Sequence, residues 1–517
     1  MLPEKPLSVV SKPDPADVSA PRARRRPLRV LLVYPPIPET FWSMKHALRL
    51  VSKKAVIPPL GLLTVAALLP GHWELRLKDL NAENLSDEEL LWADYVMLSA
   101  MLVQREGAEE AARRCRELGK PLIAGGPMFS SFEEATPLFP HIVRGEAEAV
   151  AADLVRDMEH GTLKPRYTAP NRPNLETVPP PRWDLVNFNH YSTMAVQFSR
   201  GCPFDCEFCD ITAMFGRVPR TKSPKQLVGE LEQLRRMGWR GGVFMVDDNF
   251  IGNRRRTREL LAEIVRWREE NKPKMTFFTE ASINLADDAE LIELMVRAGF
   301  RRVFVGIETP EPESLRECRK VQNQHRDLGA AVRTLQRSGL EVMAGFIIGF
   351  DNDPPDIFKR QFEFIQRNGI ATAMVGLLTA LPQTRLYKRL VEEGRLLAQS
   401  TGNNTQAILN FVPKLDADFL IQGYRNLMRR LYEPATYYQR LRVFLKDYRD
   451  RGPGAGLTWA DLKAFFKSLW ILGAFYRGRR QFWRFFLHSA FKHPREFSQA
   501  MQLAIVGYHF RRVAETL

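Results

Sequence analysis

Twice along this chain, apolar runs about one strand long alternate with stretches of helical periodicity, and that alternation restricts the fold more than any other feature. The first series reads 28–34, 60–69, 74–79, 86–91, 95–99, 105–118, 121–124 and 141–143, strands and helices mixed in turn. Strands separated by helices are joined by crossovers. They therefore lie parallel in a doubly wound, Rossmann-like α/β sheet with both faces covered, and such a sheet takes ligands at the carboxyl ends of its strands. Segment 162–181 is rich in proline and polar residues and carries no period, which predicts a linker over 162–190.

The second series places strands at 194–198, 242–246, 275–280, 302–308, 342–348 and 373–378. Amphipathic helices at 224–237, 254–271, 288–298, 323–338 and 355–368 lie between them. Strands with right-handed helical crossovers predict a partial (β/α)6 barrel over 191–409, with its site again at the strand carboxyl ends. From 410 to 517 the strand pattern stops and the chain turns helical, basic and aromatic. The expected order is a disordered basic tail at 1–27, a doubly wound domain at 28–161, the linker, the barrel and a helical C-terminal region.

Composition narrows the function classes. With 45% apolar and 26% charged residues, the chain is neither fibrous nor wholly disordered. Three of its five cysteines fall within eight residues, which is not the spread framework of a secreted disulfide protein, so a reducing cytosol is the expected compartment. No apolar run approaches the roughly 20 residues that span a bilayer. The net charge of +15 attracts anions in general. No helix-turn-helix, zinc-finger or RNA-binding-sheet signature accompanies it, so nucleic acid is not an expected partner and an anionic membrane surface is favoured.

The chemistry is concentrated in Phe198-Ser-Arg-Gly-Cys202-Pro-Phe-Asp-Cys206-Glu-Phe208-Cys209, which follows the first barrel strand. Three thiolates at C-x3-C-x2-C can hold three irons of a cubane and leave the fourth open. A structural zinc site would close its shell with a fourth Cys or His at finger-like spacing, and none follows nearby. Cys115 and Cys318 stand in helical context without partners and read as ordinary residues.

This motif resembles the radical SAM superfamily, in which an aromatic, here Phe208, precedes the last cysteine. The resemblance implies a 4Fe-4S cluster on Cys202, Cys206 and Cys209 whose open iron chelates S-adenosyl-L-methionine (SAM), and reductive cleavage of SAM to a 5′-deoxyadenosyl radical. It also implies an electron donor such as flavodoxin or ferredoxin. By the same resemblance Asp247, Asp248 and Asn249 occupy the place of the usual Gly-Gly-Glu that binds the methionine amino group. Glu280, Ser282 and Asn284 suit ribose hydroxyls or the methionine carboxylate, and Glu308 ends the fourth strand. Gly345 and Gly349 belong to a G-x-I-x-G segment that approaches adenine, with Asn352 where a glutamate is usual. Each strand-end carboxylate also reads as a plain helix N-cap.

Residues 28–160 resemble the cobalamin-binding domain that precedes many radical SAM barrels. The likeness runs through Val33-Tyr34-Pro35-Pro36, Asp79-Leu80-Asn81, Ser99-Ala100-Met101, Gly125-Gly126-Pro127 and Gly145-Glu146-Ala147-Glu148. Other cobalamin proteins offer cobalt a histidine from D-x-H, and here Asn81 stands in its place, so cobalamin would be held without that ligand or the domain has lost it. Asp79, Asn81, Gly125 and Gly126 are the binding residues this likeness implies, although Gly125 and Gly126 also read as turn glycines.

The whole layout is similar to the group that includes hopanoid C-2 methylases. It implies cobalamin-dependent methyl transfer to an unactivated carbon of a small hydrophobic, lipid-like substrate. The alternatives are a radical SAM oxidation, cyclisation or rearrangement, and a non-enzymatic sensor using the same cofactors. The C-terminal aromatics, interleaved with Arg477, Arg479, Arg480, Arg484 and Lys492, fit either packing on the barrel or peripheral contact at the inner membrane face.

Overall fold

The structure is a computed structural model that describes residues 26–131, 136–451 and 459–517. The basic tail expected at 1–27 lies almost wholly outside the described residues.

Strand β1 (Arg29–Tyr34) is buried on both faces, as a central parallel strand must be. It pairs with β2 (Glu74–Asp79) and β3 (Tyr95–Ser99), and β4 (Leu122–Gly125), β5 (His141–Arg144) and β6 (Arg166–Thr168) extend the sheet in the order β2-β1-β3-β4-β5-β6, all parallel. Helices α1 (Lys45–Leu50), α2 (Leu60–Leu68), α3 (Asp87–Trp92), α4 (Arg105–Glu117) and α5 (Ala151–His160) belong to this part. Cys115 is buried in its core.

Strand β6 corrects the linker reading. A three-residue edge strand has no room to show a period. Its anchor is Tyr167, which is buried and donates its hydroxyl to Asp157 at 2.9 Å.

The second sheet runs β7 (Thr193–Val196), β10 (Gly242–Met245), β11 (Thr276–Glu280), β12 (Phe300–Glu308), β13 (Glu341–Ile348) and β14 (Thr372–Leu377), parallel and in chain order. Between β7 and β10 come β8 (Ser199–Arg200), α6 (Ile211–Phe215), β9 (Arg220–Thr221) and α7 (Pro224–Arg236), with β8 and β9 forming a small antiparallel pair. The outer crossovers are α8 (Arg254–Asn271), α9 (Ala289–Ala298), α10 (Pro312–Glu317), α11 (Leu328–Arg337) and α12 (Ile357–Arg367). Outward residues such as Val243, Phe277 and Val303 are buried under these helices. On the opposite face Phe244 and Phe278, paired in register, stack at 4.4 Å.

Helix α13 (Arg385–Glu392) returns to the cysteine loop, and α14 (Ala417–Tyr432), α15 (Pro434–Asp447), α16 (Trp459–Trp470), α17 (Arg479–Lys492) and α18 (Phe497–Thr516) complete the chain. The inner faces of this bundle join the barrel core. Tyr432 donates its hydroxyl to the Ala373 carbonyl of β14, and Phe510 stacks between Tyr432 and Phe41 at 5.0 and 5.1 Å.

Candidate active site

The cysteine loop is held from the end of β10. Asp247 is buried, and its Oδ1 accepts from the Phe198 amide at 2.8 Å. Its Oδ2 accepts from the Ser199 amide at 2.8 Å and the Ser199 hydroxyl at 2.6 Å. Asp248 accepts from the Gly201 amide at 2.8 Å. Gly201 has φ +101°, and a Cβ there would stand 2.9 Å from the Gly216 carbonyl oxygen, the same oxygen that accepts from the Cys202 amide at 3.2 Å. Asp247 thus supports the cysteine loop through both of its oxygens. Burial drives the Asp247 pKa up to about 7, with Ser199 pulling the other way.

Cys206 is buried, and Cys202 and Cys209 are half-buried. The Asn249 amide donates to Cys202 Sγ at 3.8 Å and that of Gln322 to Cys206 Sγ at 3.7 Å. Burial pushes the Cys202 and Cys209 thiols up. Among the described residues no three His, Cys, Asp or Glu side chains converge on one metal ion. Thiolates serving a cubane each take a different iron and stand apart, so the donor set fits a cluster with one open iron and does not fit a mononuclear site.

Lys320 is the residue that sequence reasoning missed. Its Nζ donates to Glu308 Oε1 at 2.6 Å and lies 5.8 Å from the Phe208 ring centre. Burial works against its charge, but Glu308 and then Cys206 more than offset this, and the ammonium is held above the usual lysine range. A Cβ at Gly306 would come within 2.6 Å of Nζ and 2.3 Å of Glu308 Oε1, so only glycine leaves room for the pair. Glu308 itself takes φ +64°. Its carboxylate reaches Lys320, and the two form one buried ion pair.

At the end of β11, Ser282 donates to Asn284 Oδ1 at 2.7 Å and accepts from Asn249 Nδ2 at 3.2 Å, which joins three expected residues in one network. The Glu280 carbonyl accepts from the Phe250 amide at 2.9 Å, while its carboxyl makes no hydrogen bond among the described residues. Burial, then the nearby Asp248, pushes its pKa up to about 8, and Lys320 pulls it back.

In the G-x-I-x-G segment, Gly349 has φ +106° and donates to Asp353 Oδ2 at 2.8 Å. Gly345 packs on Phe304, where a Cβ would meet the ring at 3.0 Å. Asn352 turns to Glu317 at 2.9 Å. Asp353, which also accepts from Ser314 at 2.6 Å, went unrecognised in the sequence.

Two expected cobalamin residues are otherwise engaged. Asn81 accepts from the Ile37 amide at 2.7 Å and donates to Asp79 at 2.7 Å, while Asp79 accepts from Tyr191 at 3.0 Å. Both tie the strand ends together. Gly126 has φ +91°, and a Cβ would strike Ser99 Oγ at 2.5 Å, so its turn demands glycine. Beside it Met101 is exposed at the carboxyl ends of β3 and β4.

The carboxyl edges of the two sheets face each other. Glu146 and Glu148, just after β5, both grip Arg200, at 2.6 and 2.7 Å, and Glu146 also binds Arg220 at 2.7 Å. Gln383, in the loop after β14, donates to the Ser130 carbonyl beyond β4 at 2.9 Å.

Residues 196–365 match the model of the radical SAM superfamily, and residues 384–517 that of a domain of unknown function (DUF4070). The second match begins at the N-cap of α13, upstream of the boundary expected at 410. The chain is 41% identical to an uncharacterized methyltransferase of Synechocystis sp., over 94% of this chain and 92% of that one. It is 34% identical to the hopanoid C-2 methylase of Rhodopseudomonas palustris, over 80% of this chain and 78% of that one. Its fold is similar to that of the radical S-adenosylmethionine methyltransferase TsrM from Kitasatospora setae, solved with cobalamin and a [4Fe-4S] cluster bound. The TM-score is 0.61 at 16% identity, covering 95% of this chain and 100% of that one.

Fold and three-cysteine loop together define a radical SAM enzyme. Within that class the chain belongs to the family of radical SAM methylases that contains the hopanoid C-2 methylase.

Proposed function

We propose that this enzyme transfers a methyl group, by way of cobalamin, to an unactivated carbon of a hydrophobic, lipid-like substrate. The observation that carries the reading is the joint between the sheets, where Glu146 and Glu148 bind Arg200 two residues before Cys202. A methyl carrier on the first sheet and a radical source on the second then open into one cleft. Cys202, Cys206 and Cys209 would hold the cluster, and Met101, Gly125 and Gly126 would meet the corrin. When bound, the cluster with SAM supplies a radical able to abstract hydrogen, and cobalamin supplies the methyl group.

The chain's own residues prepare the cleft. Asp247 and Asp248 fix the loop that carries the thiols. Lys320 sets a permanent positive charge beside them. Glu280 holds a proton on its carboxyl at neutral pH and meets the cleft as a hydrogen-bond donor. Phe244, Phe278 and Phe304 give the inner wall an apolar lining that excludes water.

Beside the loop, a depression of about 400 Å³ is lined by Pro203, Phe204, Asp205, Arg217, Arg316 and Arg319, three guanidinium groups against one carboxylate. Its cationic rim suits an acidic electron donor of the flavodoxin or ferredoxin class. A lipid-like substrate lies in a bilayer, so the reading places the enzyme in the cytosol against the inner membrane face.

The test is an anaerobic reaction of the reconstituted enzyme with SAM, reductant, methylcobalamin and a hopanoid as probe, followed by mass analysis. S-adenosylhomocysteine formed together with 5′-deoxyadenosine and a product heavier by one methylene supports the reading. Formation of 5′-deoxyadenosine alone overturns it and leaves oxidation, cyclisation or rearrangement.

A further inference from the structure

The described helices include none long and apolar enough to cross a membrane, yet exposed apolar surface is gathered in one place. Among the described residues, seven of the 18 exposed large hydrophobic side chains fall between Leu462 and Phe491. Singly exposed apolar residues are ordinary, whereas a contiguous set marks an interaction site.

The set is contiguous because of helical spacing. Leu462, Phe466 and Trp470 follow one another at intervals of four on α16, and Trp483, Leu487 and Phe491 do the same on α17, so each helix turns a single apolar stripe outward. Exposure reaches 60% at Phe466, 65% at Trp470 and 81% at Phe491. Phe475, 71% exposed in the π-helical turn Ile471–Phe475, packs its ring on Trp470 at 5.1 Å, and Trp483 of α17 donates to the Gly473 carbonyl of the same turn at 3.0 Å. The opposite faces are already used, since Phe482, Phe485 and Ser489 are buried. Core packing therefore accounts for Phe482 and Phe485, whereas Phe466, Trp470, Phe475, Trp483 and Phe491 keep much of their ring surface exposed.

Charge identifies what covers them. From residue 462 to residue 495 the chain carries eight lysines and arginines and no aspartate or glutamate. Arg477, Arg479, Arg480, Arg484 and Lys492 are exposed, and none of them forms a salt bridge among the described residues. Exposed tryptophan and phenylalanine beside unpaired cations match the level of a bilayer where acyl chains meet headgroups. A second copy of the chain is disfavoured, because an isologous contact would set this cationic face against itself.

We propose that the outer face of α16, the Ile471–Phe475 turn and α17 is a docking surface for an anionic lipid membrane. The two helices lie in the interfacial plane, with the aromatic stripes among the upper acyl chains and the cations on the headgroups. The proposal rests on the lipid-substrate reading only in naming a membrane as the place of work. Docking is read without SAM or substrate, so failure to dock and failure to methylate are separate results.

The experiment is co-sedimentation of the reconstituted full-length protein with vesicles of mixed phosphatidylglycerol and phosphatidylcholine, and with phosphatidylcholine alone. Strong, salt-sensitive binding to the anionic vesicles is expected, with a blue shift of tryptophan fluorescence. Each cation near such a surface contributes roughly fivefold to partitioning, so R479E/R480E/R484E should lower it by at least about tenfold. W470S/F475S/F491S should abolish the blue shift while iron content stays at the wild-type level, which shows the variant is folded. No binding to anionic vesicles at low salt, or binding that neither variant weakens, overturns the proposal. So does a wild-type dimer in sedimentation velocity that W470S/F475S/F491S converts to monomer, since the covered face would then be a subunit contact. Retention on RNA in place of vesicles overturns it equally.

Discussion

Glu146→Gln interrogates the joint between the sheets with the smallest change of shape. The wild-type carboxylate is 4% exposed and uses both oxygens, Oε2 on Arg200 at 2.6 Å and Oε1 on Arg220 at 2.7 Å. Glutamine removes the charge and turns an NH2 group toward one of the two guanidinium groups. Removing one partner from a buried ion pair costs about 3–5 kcal/mol. Here Glu148 still holds Arg200 at 2.7 Å and the Pro173 carbonyl still accepts from Arg220 at 2.8 Å. The local cost therefore falls to about 2–3 kcal/mol, or roughly 30- to 150-fold in an opening equilibrium. Because Arg200 lies two residues before Cys202, the opening exposes the cluster loop. The assay is the rate at which a chelator strips iron from the reconstituted enzyme, with hydrogen exchange of the amides at 199–202 beside it. Both should accelerate in E146Q, and R200K, which cannot bridge two carboxylates, should behave alike. Wild-type iron loss and unchanged exchange in E146Q would refute the view that the first domain steadies the loop.

Lys320→Met should lower the midpoint potential of the reconstituted cluster by on the order of tens of millivolts, the scale expected for removing one charge coupled to Cys206 and Cys209 under an effective dielectric near 20. A redox titration followed by paramagnetic resonance measures it, and K320R should retain most of the wild-type value. His509 is buried, donates through Nε2 to the Thr40 and Phe41 carbonyls at 3.2 and 3.1 Å, and leaves Nδ1 without a partner. Burial lowers its pKa to about 4 from the usual imidazole value of about 6.5. Its folded form therefore binds fewer protons than the unfolded chain between these values. Stability attributable to it is full above about pH 6.5 and is lost as pH falls toward 4, by about 3 kcal/mol. Thermal unfolding across that range should show a shallower pH slope in H509Q than in wild type, and equal slopes would refute the assignment.

How much was legible in the sequence depended on whether the signal was local. The barrel strands follow from period and apolar runs within single segments, and their observed order is the chain order. The cysteine loop was legible because its three thiols are neighbours in sequence. Strand β6 escaped because three residues at a sheet edge carry no pattern, and its partner β5 is a separate segment. Lys320 escaped for a different reason. A lysine after a short helix has many ordinary explanations in sequence, and only the return of the α10–α11 connection brings its ammonium to Glu308 and the thiols.

The strand-end acids show where sequence reading stops. Asp247, Asp248 and Glu280 all end barrel strands, and spacing alone cannot say whether such a carboxylate turns toward the backbone beside it or toward the cleft. The folded chain separates them by hydrogen bonding. Asp247 is saturated by Phe198 and Ser199, and Asp248 spends an oxygen on Gly201. Glu280, one strand further on, has no such partner among the described residues, and its carboxyl bears the full cost of burial. Two acids at the end of β10 thus hold the loop, and the acid at the end of β11 makes no such bond to it. The departure from Gly-Gly-Glu at the end of β10 then has a physical sense, because the loop of this chain needs carboxylate acceptors where the usual pattern places glycines.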